Sequence, residues 1–171
     1  MQRPTLDECA PFYQGYLARV PDGDLATILL TQGEATAALL DGIAEARGDF
    51  AYAPGKWSIK RLVQHVVDGE RLFCYRLLCI ARGETQSLPG FDENAYAERD
   101  GSERRTLRAI VAEFRAVRAA TLALLDGLPP EVGTNRGIAN GKPVSARAIA
   151  WMIAGHELHH RDVLRERYSV G

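Results

Sequence analysis

The sequence predicts an all-α fold: a four-helix bundle preceded by a short helix, with a small β-hairpin before its last helix. Apolar residues recur at three- and four-residue spacing through four long segments. Capping residues and Gly or Pro stops bound those segments, and each carries a single apolar stripe that only the other helices can cover. With 171 residues and 46% hydrophobic content, one domain over residues 1–171 is expected. A chain of this size buries roughly 70% of its unfolded surface. Its core needs neither disulfides nor a metal, so a metal site here would serve chemistry.

Taken in order, Thr5-Leu6-Asp7-Glu8 has the capping-box pattern and predicts a short helix ending by about Tyr16. Pro21-Asp22-Gly23-Asp24 supplies a turn and an N-cap. Leu25, Ile28, Leu29, Leu39, Leu40 and Ile43 then mark a first long helix running to Arg47-Gly48. Ser58 caps a second, carrying Leu62, Val66, Leu72, Phe73, Leu77 and Ile80 and stopping at Arg82-Gly83. At about 25 residues it would be about 37 Å long. Leu88-Pro89-Gly90-Phe91-Asp92 reads as loop. The third long helix is expected from Ser102 to Leu125, ended by Pro129-Pro130. Asn140-Gly141 is a two-residue hairpin signal, and Ser145 caps a last helix reaching about Arg167.

Charge and composition exclude several classes. Lys+Arg at 21 against Asp+Glu at 22 gives a net charge of -1 with no like-charge run, which speaks against a nucleic-acid binder. No stretch of about 18 apolar residues is present, and Met1 to Glu8 lacks the apolar core of a signal peptide, so no membrane span and a cytoplasmic location are expected. Cys9, Cys74 and Cys79 form no CxxC pair, which suits a reducing compartment.

The histidines carry the chemistry. All four lie on two helices: His65 on the second long helix, and His156, His159 and His160 on the last. His156 and His160 are one turn apart, with Cβ atoms about 6 Å from one another. Ile149, Val163, Met152 and Ile153 all lie within about 60° of the His156 direction, so the pair points into the core. His65 shares its face with Leu72, Arg76 and Cys79, with Gly69 beside it leaving room for the ring. Three inward imidazoles from two helices make a facial three-histidine site with open coordination positions, a catalytic rather than structural type. His159, about 60° to the other side of His156, is expected at the rim or behind the ligands.

His156-Glu157-Leu158-His159-His160 also spells H-E-x-x-H, the zinc-peptidase helix in which the glutamate is the general base. Those enzymes take a third ligand further downstream, but no histidine follows His160. They also present substrate along a sheet edge, which this chain does not predict.

The chain resembles the DinB/YfiT-like superfamily of four-helix-bundle metalloproteins. The resembling residues are Gly55-Lys56-Trp57-Ser58-Ile59-Lys60 leading to His65, the Glu70–Arg76 stretch, Leu88-Pro89-Gly90-Phe91-Asp92 and Gly155 to His160; Tyr13 to Gln32 is similar to the family's opening. The resemblance implies metal ligation by His65, His156 and His160, zinc or nickel as the divalent metal, and a homodimer. It implies a small-molecule substrate and either a metal-dependent hydrolase or a transferase using a low-molecular-weight thiol. In the first case Glu157 or Asp68 is the expected proton acceptor. In the second, Arg76 or Arg71 would hold the thiol's carboxylate, with Trp57 and Phe91 walling the pocket. A metal-binding stress-response module without turnover is the non-enzymatic alternative.

Overall fold

The computed structural model describes residues 1–171. Its N-terminal capping box forms, Glu8 Oε1 accepting from the Thr5 amide at 2.9 Å, but it opens a 3₁₀ turn at Leu6–Glu8 rather than the first helix. That helix, α1 (Pro11–Leu17), begins three residues later with Pro11, whose missing N–H costs nothing in a first turn. Helix α2 (Leu25–Asp41) starts where Asp24 Oδ2 accepts from the Thr27 amide at 2.9 Å. It stops six residues short of Arg47. Past Gly42 the chain turns aside, and the Glu45 carboxylate accepts from the Leu107 amide at 2.6 Å, serving the start of another helix.

Ser58 caps α3 (Ile59–Ala81), and Gly83 follows its end at φ 84°, a left-handed conformation that glycine adopts without penalty. A short helix absent from the sequence reading, α4 (Glu93–Ala97), grows from Asp92, whose Oδ1 accepts from Asn94 and Ala95 amides at 2.9 and 3.1 Å. Helix α5 (Leu107–Asp126) begins at Thr106 instead of Ser102, because Asp100 draws Ser102 into a 3₁₀ turn at Ser102–Arg104. Strands β1 (Arg136–Ala139) and β2 (Lys142–Ser145) pair antiparallel through Asn140 and Gly141 at φ 52° and 67°. The Leu88 amide donates to the Ile138 carbonyl at 2.8 Å, which pins the preceding loop to the hairpin. Helix α6 (Ala146–Tyr168) closes the chain. No helix is long and apolar enough to cross a membrane.

Helices α2, α3, α5 and α6 form the bundle, with α3 against α6 as its most extensive pair, and α1 lies across α6. The core is in two apolar parts. One gathers Leu25, Leu29, Leu77, Ile149, Trp151 and Met152; the other gathers Ile59, Leu62, Ile110, Phe114, Leu164 and Tyr168. All four bundle helices contribute to a buried polar belt: Gln32, Glu70, Arg118, Thr121 and Glu157. Arg118 donates to Glu70 through Nε at 2.9 Å and Nη2 at 2.8 Å, to Glu157 at 2.6 Å and to the Leu29 carbonyl at 2.7 Å. Gly33 makes this possible, since a Cβ there would sit 2.8 Å from Arg118 Nη1.

Glu8 ties the N-terminal arm to α6, accepting from Ser145 Oγ at 2.6 Å and from the Arg147 guanidinium. Arg147 foremost, then Ser145 and Thr5, hold its carboxyl down at about 2, against the desolvation that opposes them. A depressed folded-state value means the contribution is present above the unfolded value of 4.5 and is lost as pH falls from there through about 2. Glu8→Gln should therefore lower stability at pH 7 by about 1–3 kcal/mol. Thermal melts across pH 2 to 7 should also show it less acid-sensitive below pH 4.5 than the wild type; parallel curves would contradict the assignment.

Candidate metal centre

The second turn of α3 carries His65 into the α3–α6 seam, and adjacent turns of α6 bring His156 and His160 to meet it. His156 Nε2 stands 3.1 Å from His65 Nε2 and 3.1 Å from His160 Nε2, and one nitrogen of each ring lies within 4.8 Å of the others. His65 and His156 are buried, while His160 is partly open. Burial first, then neighbouring histidines, lowers the pKa of all three, that of His65 to about 4. All three imidazoles are therefore neutral at pH 7.

This donor set fits a metal. One imidazole proton on His156 Nε2 can serve only one of its two nitrogen neighbours, whereas a divalent cation takes one lone pair from each ring. His160 Nδ1 is buried and makes no hydrogen bond within the chain. The room is made by Gly69, where a Cβ would stand 2.8 Å from His156 Cε1. The glycine thus accommodates the His156 ring across the seam, whereas sequence spacing suggested the neighbouring ring of His65.

Aromatic rings enclose the rest. Trp57 packs against His65 at 4.9 Å between centroids with the rings tilted by 49°, and Phe73 and Tyr16 stand edge-on to His156 at 5.5 and 5.6 Å. A cleft of about 180 Å³ opens from His65 and His156 to solvent, passing Tyr16, Phe73, Arg76 and Phe91, with Glu93 as its one lining carboxylate.

Three residues expected at the chemistry lie elsewhere. Glu157 belongs to the buried belt: its Oε2 accepts from Gln32 at 2.5 Å and Arg118 at 2.6 Å, and it bonds to no histidine. This leaves a zinc-peptidase mechanism without its base. Asp68 accepts from Gln64 Nε2 at 3.1 Å and faces Arg71 at 3.6 Å, burial raising its pKa. Arg71 is half-exposed, pairs with Glu113 and does not line the cleft. Arg76, Phe91 and Trp57 do flank the site, and His159 sits behind His160 at 4.9 Å, against Tyr16.

The wall supplied by α1 had only a weak signal in the sequence. Phe12, Tyr13 and Tyr16 place three aromatics within five residues of a helix too short to persist alone; Tyr13 and Tyr16 are half-buried, whereas Phe12 stays exposed.

The family model of the DinB superfamily matches residues 28–164. The chain belongs to the DinB superfamily. Among solved structures, this DinB-superfamily chain is similar to YfiT from Bacillus subtilis, described as a probable metal-dependent hydrolase with an unusual four-helix bundle topology. The TM-score is 0.71 at 15% identity, over 99% of this chain and 95% of that one. A mycothiol-dependent maleylpyruvate isomerase shares the bundle with a TM-score of 0.67 at 16% identity, over 85% of this chain and 62% of its own length. A DinB-like protein from Bacillus subtilis superposes with a TM-score of 0.60 at 20% identity, over 83% of this chain and 87% of that one. These likenesses establish the fold. No curated protein matches the chain.

Proposed function

We propose that the protein is a metal-dependent hydrolase of small molecules, with His65, His156 and His160 holding zinc or nickel. The observation that carries this is the convergence of three neutral imidazoles, two of which, His65 and His156, line a solvent-open cleft. A cation bound there supplies Lewis acidity to an oxygen ligand. The chain's own part is to shape what surrounds it. Trp57, Phe73 and Tyr16 exclude water from the flanks of the histidines, which strengthens every polar interaction between them. Tyr16 keeps its phenol proton, since burial raises its pKa, and so offers a donor to charge developing on a substrate. Glu93 takes the proton-acceptor role that Glu157 and Asp68 are placed too poorly to fill.

The likeness to a mycothiol-dependent isomerase favours a second reading, a thiol-dependent transferase or isomerase. Size speaks against it. At about 30 Å³ per water the cleft holds roughly six waters, below the 300 Å³ at which pockets for larger ligands begin.

Metal analysis of the purified protein should give about one equivalent of zinc or nickel per chain. His160→Ala should lose it while keeping the helical circular dichroism; full metal retention would overturn the ligand assignment. Metal-loaded protein should cleave activated esters in a chelator-sensitive way. Tight binding of glutathione, bacillithiol or mycothiol without ester cleavage would instead establish the second reading.

A further inference from the structure

Two arginines are buried in this molecule, and only one has a counter-ion. Arg118 is matched by Glu70 and Glu157, whereas Arg76, 5% exposed, joins no ion pair. Its single hydrogen bond runs from Nη2 to the Pro89 carbonyl at 2.7 Å, leaving the other four of a guanidinium's five N–H donors without a partner in the chain. None of its free nitrogens is fully enclosed, so what little of this guanidinium meets water does so where it lines a cleft, and a charge held there without a counter-ion is placed for an anionic ligand.

Arg76 lines the same cleft as His65 and His156. It lies seven residues beyond Gly69, the position on which the His156 ring rests, so about 10 Å of helix axis separates the cation from the imidazoles. The walls between are flat and apolar: Tyr13, Tyr16, Phe73 and Phe91, the last with its ring centroid 5.8 Å from the guanidinium carbon. Glu93 lines the cleft without reaching Arg76.

We infer that the cleft takes a small carboxylate with a flat, apolar body, its anionic end paired with Arg76 and its reacting end facing His65 and His156. This rests on the hydrolase reading for what happens at the histidines, but the anion subsite stands by itself. One six-membered ring bearing a carboxylate suits both the spacing and the volume. Arg76 is then a binding residue that fixes which end of the substrate enters first.

The test compares benzoate with its neutral isostere benzamide, and with acetate, which lacks the ring, by calorimetric titration. Benzoate should bind about tenfold or more tighter than either, the gain expected of a charge-assisted pair and of a buried ring. Benzoate, and not benzamide, should shift the Arg76 Nε–H resonance of the wild-type protein. Arg76→Gln should bring acid and amide to within about twofold, whereas Arg71→Gln, outside the cleft, should change nothing. The acid preference should persist in metal-free His160→Ala, which separates this subsite from the metal reading. Equal binding of acid and amide, an unmoved Arg76 resonance, or a preference that disappears with the metal would each overturn it. The resonance decides the matter in wild-type protein should Arg76→Gln fail to fold.

Discussion

Arg118→Met is expected to destabilise the protein by about 3–5 kcal/mol, the range for removing one partner of a buried ion pair. The guanidinium is the only cation bonded to Glu70 and Glu157, both about 2% exposed, and its loss strands both carboxylates in the core. Methionine fills most of the volume, so the effect reads charge rather than a cavity. The same reasoning predicts rescue: adding Glu70→Gln and Glu157→Gln should recover much of the loss, since neutral amides need less compensation. Half-exposed Arg115, paired with Asp41 on the surface, provides the contrast, and Arg115→Met should cost less than about 1 kcal/mol. Urea denaturation measures all three. A loss under 1 kcal/mol for Arg118→Met would show that the belt is solvated and contributes little.

The second large effect is at Gly155. In an isolated helix, replacing glycine by alanine stabilises by about 1 kcal/mol. Here the sign reverses. An added Cβ would lie 2.5 Å from the Tyr16 carbonyl carbon and closer still to its oxygen, a collision with backbone that no side-chain rotation relieves. Helix α1 must lift off α6, at a cost of about 3 kcal/mol by analogy with overpacked cores. Tyr13 and Tyr16 move with it, opening one wall of the cleft. The three histidines stand on α3 and α6, so metal content should stay near the wild-type level while near-ultraviolet circular dichroism and proteolysis report a loosened α1. Unchanged stability would mean that α1 does not approach α6 this closely.

The bundle was readable because its signals are local. Asp24, Ser58 and Ser145 announced three of the four long helices, and Asn140-Gly141 the hairpin, since each needs only its chain neighbours to act. The boundaries that moved were decided by distant partners. Glu45 leaves the axis of α2 to cap α5, 62 residues away, and no periodicity argument sees that contact. The same division runs through the site. His156 and His160 share a face by spacing alone, and the apolar stripe around them gives their direction. Glu157, adjacent to His156 in sequence, is drawn away by Arg118 and Gln32 from two other helices, so a motif of five residues could not place it. Arg71 and Arg76 are near-equivalent in composition terms. Only the position of α5, which supplies Glu113 to Arg71, separates a surface pair from a residue of the cleft.

The arm that lies across α6 has a consequence for how the molecule is made. Synthesis proceeds from the N-terminus, so Glu8, Tyr13 and Tyr16 leave the ribosome well before Ser145, Arg147 and Gly155, the surface they rest on. The contact from Ser145 to Glu8 spans 137 residues, and loop closure over such a length comes after local helices have formed. An aromatic segment therefore waits undocked while the rest of the chain emerges, a period in which exposed apolar surface invites misassociation. The wall it contributes is added at the end, and the nascent protein has its bundle before it has its cleft.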